Sequence, residues 1–188
     1  MSGGSSRLVT AAADAVLAQK ELLLASLSAL EYVTPCALAG ASIGQHMRHS
    51  LDHLAKATDA APRPGDAAPA LIDYDRRERA TAIERDLGAA RALVARLRAD
   101  VGALPPAALD APVNARFMLL REEGGADAHG VLGSTLRREL AFATHHAIHH
   151  NATIALIAKQ RGLALPASFG VAPSTAAHGA AAERARAG

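Results

Sequence analysis

Seven of the chain's nine histidines fall in two short clusters. Imidazole is well suited to hold a divalent ion or to move a proton near neutral pH. The first cluster is Gln45-His46-Met-Arg-His49-Ser-Leu-Asp52-His53, and the second is Thr144-His145-His146-Ala-Ile-His149-His150-Asn151. Residues four apart on a helix share a face, one turn apart. The second cluster therefore carries two overlapping HxxxH pairs, His145 with His149 and His146 with His150. Either pair can place two imidazoles on one ion, at roughly 2.0–2.1 Å for zinc. A lone interior histidine is ordinarily a hydrogen-bonded core residue. Two at this spacing, facing another His-rich segment, fit that reading poorly, because each buried imidazole without a partner costs about 1–3 kcal/mol.

A helical wheel, at roughly 100° per residue, separates the pairs. Leu136, Leu140, Ala143, Ala147 and Ile154 define the inward direction of the later segment. His146 and His150 lie at the inward edge of that stripe, beside Ile157. His145 and His149 lie further round, toward Arg138, on the rim. In the earlier segment His46 and His53 flank the apolar stripe, while His49 sits nearer Asp52 and Lys56. The wheel favours His46 or His53 as a third ligand; a site at the mouth of a bundle can equally recruit His49.

Three imidazoles with no fourth protein ligand leave a position open for water or substrate, as in catalytic rather than structural zinc sites. Asp52, Glu139 and Asn151 are candidates to orient the imidazoles from behind. Tyr74, Asp75 and Arg79, on a loop leading into a helix, are candidates to line an entrance. His129 and His178 read as solvent-exposed. Cys36, the single cysteine, reads as a buried small residue and excludes an internal disulfide or a multi-cysteine metal site. No catalytic residue is assigned by spacing alone.

The elements that must position these residues are helical. Ala occupies 47 of 188 positions, against five aromatic residues and no Trp. That composition favours close-packed helices over a strand-rich sandwich. A first helix is predicted from about Arg7 to Tyr32, with Leu8, Ala12, Val16, Leu23, Leu27 and Leu30 on one face, ended by Thr34-Pro35. A second runs from an N-cap at Ser42 to about Ala60, with Ile43, Met47, Leu51 and Leu54 as its stripe. Residues 61–75 carry four Pro/Gly positions and read as a loop. A third helix is predicted from about Arg77 to Val101, with Ile83, Leu87, Ala90, Val94 and Leu97 on one face. Val113–Leu120 reads as a short strand and Glu123–Asp127 as a turn. The fourth helix is predicted from Ser134 or Thr135 to Arg161, with Gly162 just past its end. The expected fold is all-α: a four-helix bundle with a long loop between helices 2 and 3 and a short irregular or hairpin segment before helix 4. The domain is expected over residues 7–172, with a flexible start at 1–6 and a disordered tail at 173–188.

Composition also limits partners. A formal charge of +2 gives no strong electrostatic footprint for nucleic acid, and the five aromatics form no stacking platform. No secretory h-region and no membrane-length apolar run is present, so a cytoplasmic protein without membrane or nucleic-acid partners is expected.

Two segments resemble the DinB-like superfamily of small helical bundles, also known as YfiT-like metal-dependent hydrolases. Ser42-Ile-Gly-Gln-His-Met-Arg-His49 is similar to the family's second-helix segment, whose metal-binding histidine falls on His49. His146-Ala-Ile-His-His150-Asn-Ala-Thr-Ile is similar to its fourth-helix pattern, which falls on His146 and His150. Tyr74–Glu84, Ser134–Phe142 and Phe169–Thr175 resemble a subgroup, so the likeness covers about residues 7–175. It implies a three-His site of His49, His146 and His150 for a divalent ion, often zinc or nickel, and frequently a homodimer. The additional His46, His53, His145 and His149 leave the ligand set open. Imidazole donors do not choose among zinc, nickel, copper and iron.

The resemblance implies a metal-dependent enzyme, a hydrolase or a thiol/group transferase acting on a small molecule such as a thiol. A non-catalytic, metal-binding or stress-response bundle is the alternative. An enzyme keeps an exchangeable fourth position, whereas a sequestering site fills it, for instance with His53.

Overall fold

The computed structural model describes residues 2–76, 80–121 and 127–187. Six α-helices and three strands follow in the order α1 (Ser2–Ser26), α2 (Ala29–Val33), α3 (Ile43–Asp59), β1 (Ala70–Asp73), α4 (Leu87–Ala103), β2 (Pro112–Leu120), β3 (Ala128–Thr135), α5 (Leu136–Gln160) and α6 (Pro173–Ala187). Short 3-10 turns at Ala82–Glu84 and Ala108–Asp110 lead into α4 and β2. Helices α1, α3, α4 and α5 pack around one core, α3 against α5 most extensively. Among the described residues no helix is long and apolar enough to cross a membrane.

The architecture is mostly helical, but it is not the pure all-α bundle expected from the sequence. A three-stranded sheet, order β1-β2-β3, closes one end. β1 pairs parallel with β2, and β2 pairs antiparallel with β3. β2 and β3 fill the place of the expected hairpin, whose turn at 123–126 lies outside the described residues. β1 arises inside the expected loop because Leu71 and Ile72 follow the last proline of that stretch, and the prolines mask them. Its core-facing Ile72 lies opposite Ala115 of β2, and both are buried.

Capping residues set the helix boundaries. Ser42 accepts from the Gln45 amide, and the Gln45 side chain accepts from the Ser42 amide, so α3 starts with a complete capping box. Its stripe of Ile43, Met47, Leu51 and Leu54 is fully buried, each side chain contributing roughly 1.5–3 kcal/mol. Thr135 caps α5 through the Arg138 amide, and Gly162, at φ 69°, follows its end. The predicted first helix is divided, because Ser28 and Glu31 form a second capping box that starts α2 anew. Its buried face is Ala13, Val16, Leu17, Lys20, Leu23 and Leu24, whereas Leu8 and Leu30 are exposed. α4 begins ten residues later than predicted, since Asp86 accepts from the Gly88 amide and defines the N-cap there. The two segments expected to be unstructured differ as well. Residues 2–6 belong to the start of α1, and 173–187 form α6, as the Ala-rich sequence of α6 favours.

The turn at Ala82–Glu84 is held against the start of α3. The Tyr32 hydroxyl donates to the Ile83 carbonyl at 2.5 Å, and Arg48 pairs with Glu84 at 2.8 Å. Close approach requires Gly44, where a Cβ would overlap the Glu84 carbonyl oxygen. Gly44→Ala is therefore expected to destabilise the chain by about 1–3 kcal/mol despite its better helix propensity. Urea unfolding of the two proteins measures this, and an unchanged midpoint contradicts the packing described.

Candidate metal centre

The buried polar side chains gather where α3 faces α5. On α3, His46, His49 and His53 recur at three and four residues and point to one neighbour. On α5, His146 and His150 are one turn apart. Facing nitrogens of His49, His146 and His150 lie within 4.8 Å of one another. His146 Nε2 is 3.1 Å from His49 Nε2 and 3.1 Å from His150 Nε2. All three rings are half-buried.

Nitrogens this close need something between them. A neutral imidazole carries one proton, so a contact between two rings uses one N–H and one lone pair. A cation at the centre takes a lone pair from each of the three rings, so the donor set fits a divalent ion such as zinc.

The structure brings together the three histidines that the resemblance selects. The apolar stripe marks the direction of the whole core, whereas the histidines face α5, with His53 also stacking on Tyr74. His49 stands in the triplet. His46 and His53, which the wheel favours, flank it. His46 Nδ1 lies 3.0 Å from His150 Nδ1. His53 is buried, stacked on His146 with ring centroids 4.1 Å apart, and its Nδ1 donates to the His49 carbonyl at 3.1 Å. His145, His149, His129 and His178 are exposed.

Tyr74 does not line an open entrance. β1 delivers it into the interior, stacked between His53 and Phe117 at 5.0 and 5.2 Å. Burial, then the neighbouring Glu139 carboxylate, pushes its hydroxyl well above the usual phenol range. Asp75 accepts from the Met118 amide, and Arg79 lies outside the described residues. Of the candidates for orienting the imidazoles, Asp52 pairs with Lys56 at 2.9 Å. Glu139, fully buried, accepts from Ser134 and Arg138, each at 2.6 Å. Asn151 serves a residue that the sequence reading passes over.

That residue is Lys20 of α1. It is fully buried, and its Nζ donates to Ser50 Oγ at 2.8 Å and Asn151 Oδ1 at 2.7 Å. Ser50 follows His49 and Asn151 follows His150, so one ammonium ties both histidine-bearing helices to α1. Asn151 Nδ2 in turn donates to Gln19, whose Oε1 also receives the Gly170 amide. A lysine inside the apolar stripe of the first helix is the sequence signal for this network. Both acceptors are neutral, and burial lowers the Lys20 pKa to about 7. The histidines respond to the same environment. His150 is lowered to about 2 by burial first, then by His146, His49, His46 and Lys20. His46 is lowered by burial, then by His149 and Lys20.

A family model for the DinB superfamily matches residues 12–154. A protein of Rhizopus delemar (strain RA 99-880 / ATCC MYA-4621 / FGSC 9543 / NRRL 43880) named FK506-binding protein 5 is 32% identical over 116 residues, 61% of this chain and 29% of that protein. The chain thus matches under a third of that relative's length. No solved structure matches the chain.

The buried lysine fixes a pH dependence. Between about pH 7 and 10.5 the unfolded chain holds a proton at Lys20 that the folded chain tends to lose. Stability therefore rises with pH across that window, by at most about 1.4 kcal/mol per unit for one proton. Urea unfolding from pH 7 to 10 is expected to show this rise in the wild-type chain and to lose it in Lys20→Met. Equal slopes in the two proteins contradict the burial of Lys20 as a charge-bearing group.

Proposed function

The chain belongs to the DinB superfamily, and on that premise we propose that it is a metal-dependent enzyme whose ion is held by His49, His146 and His150. The convergence of the three Nε2 atoms, each neighbour 3.1 Å from the next, carries this reading. Imidazole donors accept zinc or nickel among other divalent ions, and the family resemblance points to these two. An ion bound there supplies a Lewis acid, which brings the pKa of a water or thiol toward neutrality.

The residues around the triplet support an exchangeable fourth position. The three imidazoles are neutral donors, so they cancel none of the ion's charge. His53 is not one of the histidines whose nitrogens converge; its ring face stacks on His146 and Tyr74. This favours an enzyme over a sequestering site. The ion's uncancelled charge favours an anionic partner such as a thiolate. Hydrolysis or thiol/group transfer on a small molecule is the class of reaction that follows. His53, Tyr74, Phe117 and Phe142 form a cluster of stacked and edge-on rings beside His146. A cytoplasmic homodimer is the setting proposed for the enzyme.

Elemental analysis of the untagged chain tests the proposal. About one divalent ion per chain is expected, lost from both His49→Ala and His146→Ala/His150→Ala. Loading with zinc or nickel is then expected to give thiol-transfer or hydrolytic activity that the same variants lack. Metal retained at full stoichiometry in His49→Ala contradicts the ligand set, and no metal after reconstitution contradicts the metalloenzyme.

A further inference from the structure

The proposed ligands leave one imidazole contact unused. His46 Nδ1 lies 3.0 Å from His150 Nδ1, on the side of the ring opposite the nitrogen that faces His146. The two rings are tilted by 42° with centroids 5.3 Å apart. A contact between two ring nitrogens at this distance holds one proton, and the direction in which it is donated matters.

If His46 donates, His150 is the acceptor at Nδ1 and carries its own proton at Nε2. That proton then points at His146, and His150 has no lone pair to give to an ion. If His150 donates from Nδ1, its Nε2 lone pair faces the cluster. The proton of His46 then sits on its own Nε2. An imidazolium at position 46 is excluded in this second arrangement, since two N–H groups would face each other.

Resting on the three-His reading, we propose that His46 is the positioning residue of the site: its neutral Nδ1 accepts the proton of His150 Nδ1 and so holds His150 in the one tautomer able to bind the ion. Nothing else fixes the proton of His46. Its Nε2 is buried and has no hydrogen-bond partner among the described residues. Its tautomer is therefore set by the contact with His150. The backbone at this point is also held, because Ser50 Oγ donates to the His46 carbonyl at 3.0 Å while accepting from Lys20.

Ion-binding histidines usually donate their second N–H to a carboxylate, a backbone carbonyl or water. A neutral imidazole accepts the same proton but lends the ligand less negative character. The ion is thereby left more electrophilic than a carboxylate partner would leave it. His46 neither touches the ion nor competes for it; it acts through His150.

Two measurements test the role without any activity assay. Nitrogen–proton correlation spectra of the zinc-loaded, 15N-histidine-labelled chain are expected to show a proton on His150 Nδ1, and His46 protonated at Nε2 alone. A His46 ring protonated at Nδ1, or at both nitrogens, overturns the proposal while leaving the three-His site standing. Competition against a chromophoric chelator then measures zinc affinity. His46→Phe, which keeps the bulk and removes the acceptor, is expected to lose about 10–100-fold. His46→Gln, which keeps an acceptor, is expected to recover part of that loss. Wild-type affinity in the folded His46→Phe variant overturns the role. A wild-type chain that binds no zinc overturns both this inference and the metal site it depends on.

Discussion

Five histidine side chains share the small space between α3 and α5, four of them half-buried and His53 buried, and the nitrogens they bring there must find partners. This requirement shapes the rest of the interior. Three Nε2 atoms converge with neighbours 3.1 Å apart. His46 and His53 take up the flanks, one through a ring nitrogen and the other through stacking and a backbone carbonyl. Lys20 reaches from α1 to the residues that follow His49 and His150. The apolar stripe of α3 and the Gly44 approach then fix where the first cluster stands relative to the second.

The same crowding explains the electrostatics. Burial, then the neighbouring His146, His49, His46 and Lys20, lowers the His150 pKa to about 2, and burial lowers that of His46 as well. Neutral rings offer lone pairs, which is the state needed for an ion. Among the described residues no carboxylate joins the cluster. Glu139, the fully buried carboxylate, is engaged by Ser134 and Arg138.

Much of this was legible in the residues. Ser42 with Gln45 marks the start of α3, and Thr135 with Gly162 brackets α5. His146 and His150 separate from His145 and His149 by helical phase alone. His49 did not follow from phase, because the apolar stripe points to the core as a whole and not to α5. Similarity of the segment Ser42–His49 to a known family supplied it instead. β1 was hidden among prolines, and the late start of α4 turned on a single Asp86 cap. Lys20 stands out only as a lysine on an otherwise apolar face, and its partners Ser50 and Asn151 lie on two other helices, which no local pattern reveals. The pairing of His46 with His150 joins residues 104 positions apart, and no local pattern encodes such a contact.

X-ray absorption of the zinc-loaded chain tests the three-histidine site most directly. Three imidazole nitrogens at about 2.0–2.1 Å, with one further light, exchangeable ligand, are the expected first coordination sphere. The multiple-scattering pattern should fall to two imidazoles in His49→Ala. Four imidazoles around zinc would show that His53 or another ring fills the open position, and contradict a catalytic site. A sphere of oxygen ligands alone would contradict metal binding by His49, His146 and His150 altogether.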